Sequence, residues 1–273
     1  MTDDKKSEWI NTEYMRAEDN KSKNEIVLSI IIPCYNNVNF TKSAIQDLLK
    51  LPSNHEVILV DNASTDTTGL IIHELMETRN KENAELKYIG CPKNLGFGRA
   101  NNKGYKRAKG KNILFLNNDI KVKDNFDTWT QTLIDACQAG KLVSANGGML
   151  DNQFNFIRET DNLIDSEYFY LSGWCLAGSR ETFDKLTMNH YSDDVTDEIK
   201  EGQAWGPWNE KFFAYFEDDD LTWRAKEMGI PLDVIQVPVH HFGRMTTKKL
   251  NLASMYKTSQ EIFRSLWSKK LVK

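Results

Sequence analysis

Three acidic stretches carry the chemistry open to this chain: Asp61-Asn62-Ala63-Ser64-Thr65-Asp66, Asn117-Asn118-Asp119 and Glu217-Asp218-Asp219-Asp220. The first two each close an apolar run, 57–60 and 113–116, of the kind that forms a buried parallel strand. In an open α/β sheet a ligand sits outside the carboxyl ends of the strands, so these carboxylates should meet in one crevice. Gathered there, they repel one another unless a cation, a base or a proton balances them. A metal-bound, phosphate-bearing ligand accounts for the set. The third stretch opens a helix, where the helix dipole by itself favours acids. Four in a row behind Phe212-Phe213-Ala214-Tyr215-Phe216 exceed what capping needs.

The elements that must position these acids follow from periodicity. A β-branched run at 26–32, stopped by Pro33, predicts a central parallel strand. Further strands are expected at 56–60, 86–89 and 112–116, with helices at 41–49, 65–79 (Asp66 as its cap) and 97–108. Strands alternating with helices at this pitch imply βαβ units and a parallel, twisted sheet. Beyond Asp119 the rhythm changes. A long helix is expected at 124–139, strands at 142–146 and 168–177, a helix at 217–228 and a strand at 233–239 leading to His240-His241. A basic amphipathic helix closes the chain at 251–271.

The chain has 273 residues, 40% hydrophobic and 11% aromatic, which suits a folded globular protein. A formal charge of -4 speaks against nucleic acid as a partner. Cys34, Cys91, Cys137 and Cys175 form no CxxC pair and read as reduced, buried thiols. No stretch reads as a signal peptide or reaches bilayer length, so a soluble, cytoplasmic protein is expected. The expected division is a polar arm at 1–25, one domain at 26–250 and the terminal helix at 251–273. That helix either docks on an anionic membrane, peripherally, or packs its apolar side on its own domain.

Five strings in order resemble the inverting, nucleotide-sugar-dependent glycosyltransferases of family two, and within them the rhamnosyltransferase-like branch. They are Ser29-Ile30-Ile31-Ile32-Pro33-Cys34-Tyr35-Asn36, Val60-Asp61-Asn62-Ala63-Ser64-Thr65-Asp66, Asn94-Leu95-Gly96-Phe97-Gly98-Arg99-Ala100-Asn101-Asn102-Lys103-Gly104, Phe115-Leu116-Asn117-Asn118-Asp119 and Phe212-Phe213-Ala214-Tyr215-Phe216-Glu217-Asp218-Asp219-Asp220-Leu221. The resemblance implies a GT-A fold: a Rossmann-like, mostly parallel α/β sheet flanked by helices, with acceptor-side elements toward the C-terminus. Residues 26–120 would form the donor half and 121–250 the acceptor and catalytic half.

The resemblance also assigns roles. Asp119 would hold a divalent cation, Mn²⁺ or Mg²⁺, bridging the diphosphate of a UDP- or dTDP-type sugar. Asn117 stands where the family usually has the first acid of Asp-x-Asp, which removes one charge from the site. His241, or its neighbour His240, would be the second protein ligand or a contact to the diphosphate. Pro33, Tyr35, Asn36, Asp61, Asn94, Arg99, Asn117 and Asn118 would line the donor site. Asp218 would take the proton of the acceptor hydroxyl, with Glu217 as the alternative, and Asp220 would pair with Arg224. Trp174 and Trp208 would face a saccharide or glycoconjugate acceptor, or else pack in the core. A nucleotidyltransferase and a non-catalytic sugar-binding protein on the same fold are the other readings.

Overall fold

Apolar runs buried on both faces make the centre of a seven-stranded sheet in the computed structural model, which describes residues 25–123, 129–189, 204–243 and 252–268. The first half alternates β1 (Leu28–Cys34), α1 (Val38–Leu48), β2 (His55–Asp61), α2 (Thr68–Thr78), β3 (Glu85–Gly90), α3 (Phe97–Arg107) and β4 (Asn112–Leu116). β1 and β2 are buried at every position, as continuous apolar strands between two helical layers must be. β3 ends the sheet and carries Glu85 and Lys87, charges that suit an edge.

Then come β5 (Ile120–Val122), α4 (Trp129–Gln138), β6 (Leu142–Ser144), β7 (Gly147–Leu150), β8 (Phe156–Thr160), β9 (Phe169–Leu171), β10 (Cys175–Ser179) and α5 (Arg180–Lys185). β11 (Met188–Asn189), β12 (Ala204–Gly206), α6 (Glu217–Glu227), β13 (Leu232–Val234), β14 (Val239–His241) and α7 (Leu252–Trp267) complete the described chain. The sheet order is β3-β2-β1-β4-β10-β6-β13, and β10 alone runs against the rest. The order turns back between β1 and β4, so their carboxyl ends flank the crevice where such sheets take ligands.

Alternation along β1 assigns the two faces. Ile30 and Ile32 pack with Ala44, Ile45 and Leu48 of α1, Ile72 of α2 and Leu133 of α4. Ile31 packs on the opposite side with Ala100 and Tyr105 of α3, Phe183 of α5 and Leu221 of α6. Close approach of α3 to β1 needs Gly104, since a Cβ there would lie 2.3 Å from Ile31 Cγ2. The four cysteines are free and buried, and burial pushes the thiols of Cys137 and Cys175 up to about 12.

Several expectations need correction. β1 continues through Pro33 to Cys34; its pairing with β4 ends at Ile31, so a residue lacking an N–H fits beyond it. α2 begins at Thr68, because Asp66 turns its carboxylate to the backbone N–H of both Thr68 and Val38. The expected strand at 168–177 is two strands in different sheets, β9 and β10, parted by a turn at 172–174. The one at 233–239 is likewise two: β13 edges the main sheet and β14 pairs with β5. β5, β7, β8, α5, β11 and β12 have no counterpart among the expected elements. Of the long helix expected at 124–139, α4 covers Trp129–Gln138, and 124–128 lie outside the described residues, as does the arm up to residue 24.

A third cluster lies outside the sheet. Phe263 and Trp267 of α7 are buried there with Phe154, Phe212, Phe216 and Trp223. The helix therefore spends its apolar side on its own domain, and that side is not offered to a membrane. No helix among the described residues is long and apolar enough to cross one.

Candidate active site

Asp119 stands between β4 and β5, and β14 pairs antiparallel with β5 so that His241 lies opposite Ile120. This register brings His241 Nε2 to 3.1 Å from Asp119 Oδ1 and 3.1 Å from Asn117 Nδ2. His240, one residue earlier on the strand, faces the other way, is exposed, and meets Phe242 edge-on at 4.8 Å. Of the two histidines, only His241 joins the acid.

Trp174 fixes that imidazole. The rings are stacked with centroids 4.6 Å apart and planes 9° from parallel. Its indole Nε1 donates to Asn146 Oδ1 at 2.7 Å, and its carbonyl accepts from Asn117 N at 2.8 Å. One face of Trp174 is thus spent on His241. Trp208 is fully buried, edge-on to Phe97 and Phe115, so the expectation that it faces an acceptor is corrected: it packs beneath the site.

The 172–174 turn has a second contact. Gly173 N donates to Asp218 Oδ2 at 2.9 Å. Asp218 is the second residue of α6 and keeps partial exposure, whereas Glu217, Asp219 and Asp220 are buried. Asp220 accepts from Arg224 Nε at 2.8 Å and from Trp267 Nε1 at 3.0 Å, a structural role. Burial pushes the Asp218 carboxyl above the usual range, opposed by the Gly173 N–H. Burial, with the charge of Asp218, pushes Glu217 up to about 8 and Asp219 well above the usual range. One oxygen each of Glu217 and Asp219 has no hydrogen-bond partner. Glu217, Asp218 and Asp219 thus form one mostly buried group of carboxyls, of which Asp218 keeps partial exposure.

The donor-side turns are stitched to each other. Asp61 ends β2 with Oδ1 accepting from Ser64 N at 2.8 Å and Oδ2 from Tyr88 OH at 2.7 Å. Asn36 Oδ1 accepts from Thr65 N at 2.8 Å, and Asn36 N donates to Ser64 Oγ at 2.7 Å. Asn94 Oδ1 accepts from Asn62 Nδ2 at 2.8 Å and from Gly96 N at 3.0 Å. Asn118 turns its amide to Thr41 of α1 at 2.9 Å, and Arg99 sets its Nε 4.0 Å from Glu210. Pro33 is buried within β1, while Tyr35 beyond it is half-exposed. Gly96 has φ +83°, and a Cβ there would fall 2.4 Å from Phe213 O. That contact, with Phe97 N donating to Phe213 O at 3.0 Å, joins the donor-side loop to the segment leading into α6.

Among the described residues no three His, Cys, Asp or Glu side chains gather to hold an ion. Asp119 and His241 form a pair, and Asn117 adds an amide. The donor chemistry still fits a divalent cation. Nε2 has one in-plane position and two partners at 3.1 Å, so it cannot satisfy both. A cation held by Nε2 and the carboxylate would satisfy each.

A nearly parallel sheet of this order, covered by helices on both faces, is a GT-A fold. The chain belongs to glycosyl transferase family 2, whose sequence profile matches residues 29–187, more than half of its length. It is similar to the glycosyltransferase GlyG of Streptococcus pneumoniae, 28% identical over 54% of this chain and 44% of that one, so it spans less than half of that relative. Among solved structures, GalNAc-T7 with UDP, GalNAc and Mn²⁺ superposes with a TM-score of 0.65 over 90% of this chain and 49% of that one, at 14% identity. The mannosyltransferase PcManGT of Pyrobaculum calidifontis, with GDP-Man and Mn²⁺, gives 0.54 over 85% and 60%, at 16% identity. At such identities the likeness is one of fold.

Proposed function

We propose that this protein transfers a sugar from a nucleoside-diphosphate sugar of UDP or dTDP type to a hydroxyl of a saccharide or glycoconjugate, with inversion. The observation that carries this reading is the 172–174 turn. Its Gly173 N–H holds the Asp218 carboxylate, and its Trp174 holds His241 against Asp119. In this reading a proton acceptor and a cation-binding pair are held by two neighbouring residues of one short turn, as suits a displacement at an anomeric carbon.

In this reading Asp218 takes the acceptor proton, because it alone of the four acids is partly open to solvent. Gly173 orients its carboxylate, and the burial of Asp218 itself raises its proton affinity above that of an ordinary carboxylate, which suits a base. Asp119 and His241 would hold Mn²⁺ or Mg²⁺, with Asn117 beside them, and the ion would supply charge neutralisation to the departing diphosphate. The donor half, 26–120, offers the nucleotide the stitched turns around Tyr35, Asn36, Asp61 and Asn94. Segment 121–250 supplies the acceptor side. GDP-Man with Mn²⁺ in one fold neighbour, and UDP, GalNAc and Mn²⁺ in another, support this reading.

Asn117 in place of an acid favours a second reading, a nucleotide-sugar-binding protein without turnover. Incubation with a panel of UDP-, dTDP- and GDP-sugars in Mn²⁺, with and without saccharide acceptors, separates the two. Release of nucleoside diphosphate supports the enzyme. Thermal stabilisation by a donor without release, whatever the acceptor, sinks it.

A further inference from the structure

Six residues other than glycine have positive φ among those described: Asn36, Asn37, Ala63, Phe154, Tyr215 and Phe216. The first three lie in the donor-side turns, where small side chains and local hydrogen bonds suit that conformation. The other three are aromatic, a placement that is rare for bulky residues and persists only where the surroundings over-determine it. All three lie under α7.

The contacts are specific. Ser259 Oγ donates to Ala214 O at 2.6 Å. The Tyr256 ring packs on Tyr215 at 5.6 Å and on Phe216 at 5.1 Å. Trp267 Nε1 reaches Asp220 at 3.0 Å. Gln260 Nε2 donates to the carbonyl of Phe154 at 2.7 Å, and Phe263 packs on Phe154 at 5.4 Å and Phe216 at 5.2 Å. Tyr215 and Phe216 are the two residues immediately before Glu217 and Asp218. Their left-handed turn aims the first turn of α6 at Gly173.

We propose that α7 is a clamp on the catalytic segment: Tyr256, Ser259 and Trp267 are positioning residues that hold 214–220 in the strained conformation presenting Asp218. The inference rests on the reading of Asp218 as the base, and it gives the C-terminal helix a part in turnover rather than in membrane attachment. Loss of the clamp lets the segment relax, and Asp218 leaves Gly173 while the donor-side turns stay in place.

The test uses the full chain with Ser259→Ala, Tyr256→Leu and the conservative Ser259→Thr. Hydrogen exchange is followed in peptides spanning 212–220 and in those of β1 and β2, beside steady-state turnover of the donor. Ser259→Ala and Tyr256→Leu should speed exchange in 212–220 and leave the sheet unchanged. They should lower kcat by roughly tenfold with donor KM within about twofold, because misplacing a catalytic group costs turnover rather than donor binding. Ser259→Thr should restore both. Unchanged exchange in 212–220, or full kcat in both disruptive variants, overturns the clamp. Should Tyr256→Leu loosen the whole protein, the milder Ser259→Ala decides. A wild type that turns over no nucleotide sugar defeats the catalytic reading, and the exchange data still decide the clamp.

Discussion

Trp174 lies flat on His241, and this stack sets which way the Nε2 of the histidine points. Supports of this kind raise metal affinity by holding a ligand in its binding orientation. Trp174→Leu should weaken Mn²⁺ binding by roughly 10–100-fold, while Trp174→Phe, which keeps a ring face, loses less. Free Mn²⁺ counted by electron paramagnetic resonance during titration reads the effect without any turnover. Equal affinity in Trp174→Leu and wild type would remove Trp174 from the site.

Replacing Asp218 by Asn removes the proposed proton acceptor and keeps the side chain's shape. Turnover should drop about 10²–10⁴-fold with donor affinity retained. Glu217→Gln, buried behind it, should cost less. Steady-state rates together with donor titration calorimetry check both, and a reversed order would transfer the role to Glu217.

Asn117→Asp places a second carboxylate against His241 and Asp119. The added charge should tighten Mn²⁺ binding several-fold, since nearby opposite charges favour one another strongly in a partly buried site. Without the ion the same change should lower the melting temperature through repulsion from Asp119. Differential scanning fluorimetry with and without Mn²⁺ shows both signs; stabilisation in the absence of metal would contradict the proposed ion position.

Stability should depend on pH through the acid cluster. Glu217, Asp218 and Asp219 bind their protons more tightly in the folded chain than in the unfolded one. Above the ordinary carboxylate range the native state therefore holds the extra protons, and stability falls as pH rises. For Glu217 the fall runs from its ordinary 4.5 to about 8 and then levels. Melting temperatures across that window should decline in the wild type and flatten in Glu217→Gln. A wild-type melting temperature that rises across it would show the cluster is not held protonated.

The legible part of this protein was the part built from local pattern. Continuous apolar runs announced β1, β2 and β4, because a strand covered on both faces has no room for polar residues. Helical spacing announced α1, α3 and α6, and Asp61, Asp119 and Asp218 stood out because acids at strand ends and at a helix start sit on a predictable rim. The pairing of Asp220 with Arg224 followed from helix geometry.

What the sequence determined by itself was the parallel half of the sheet and the side chains able to do chemistry, since both depend on residues close together in the chain. The tertiary structure decided who meets whom. It chose His241 over His240 through the β5–β14 register, buried Trp208, turned Asn118 and Arg99 to protein partners and set α7 against Tyr215 and Phe216. It also broke the apolar run at 168–177 into two strands whose connecting turn touches both Asp218 and His241. These outcomes join residues tens of positions apart, and their energies come from packing and burial in the assembled chain, which no window of sequence contains.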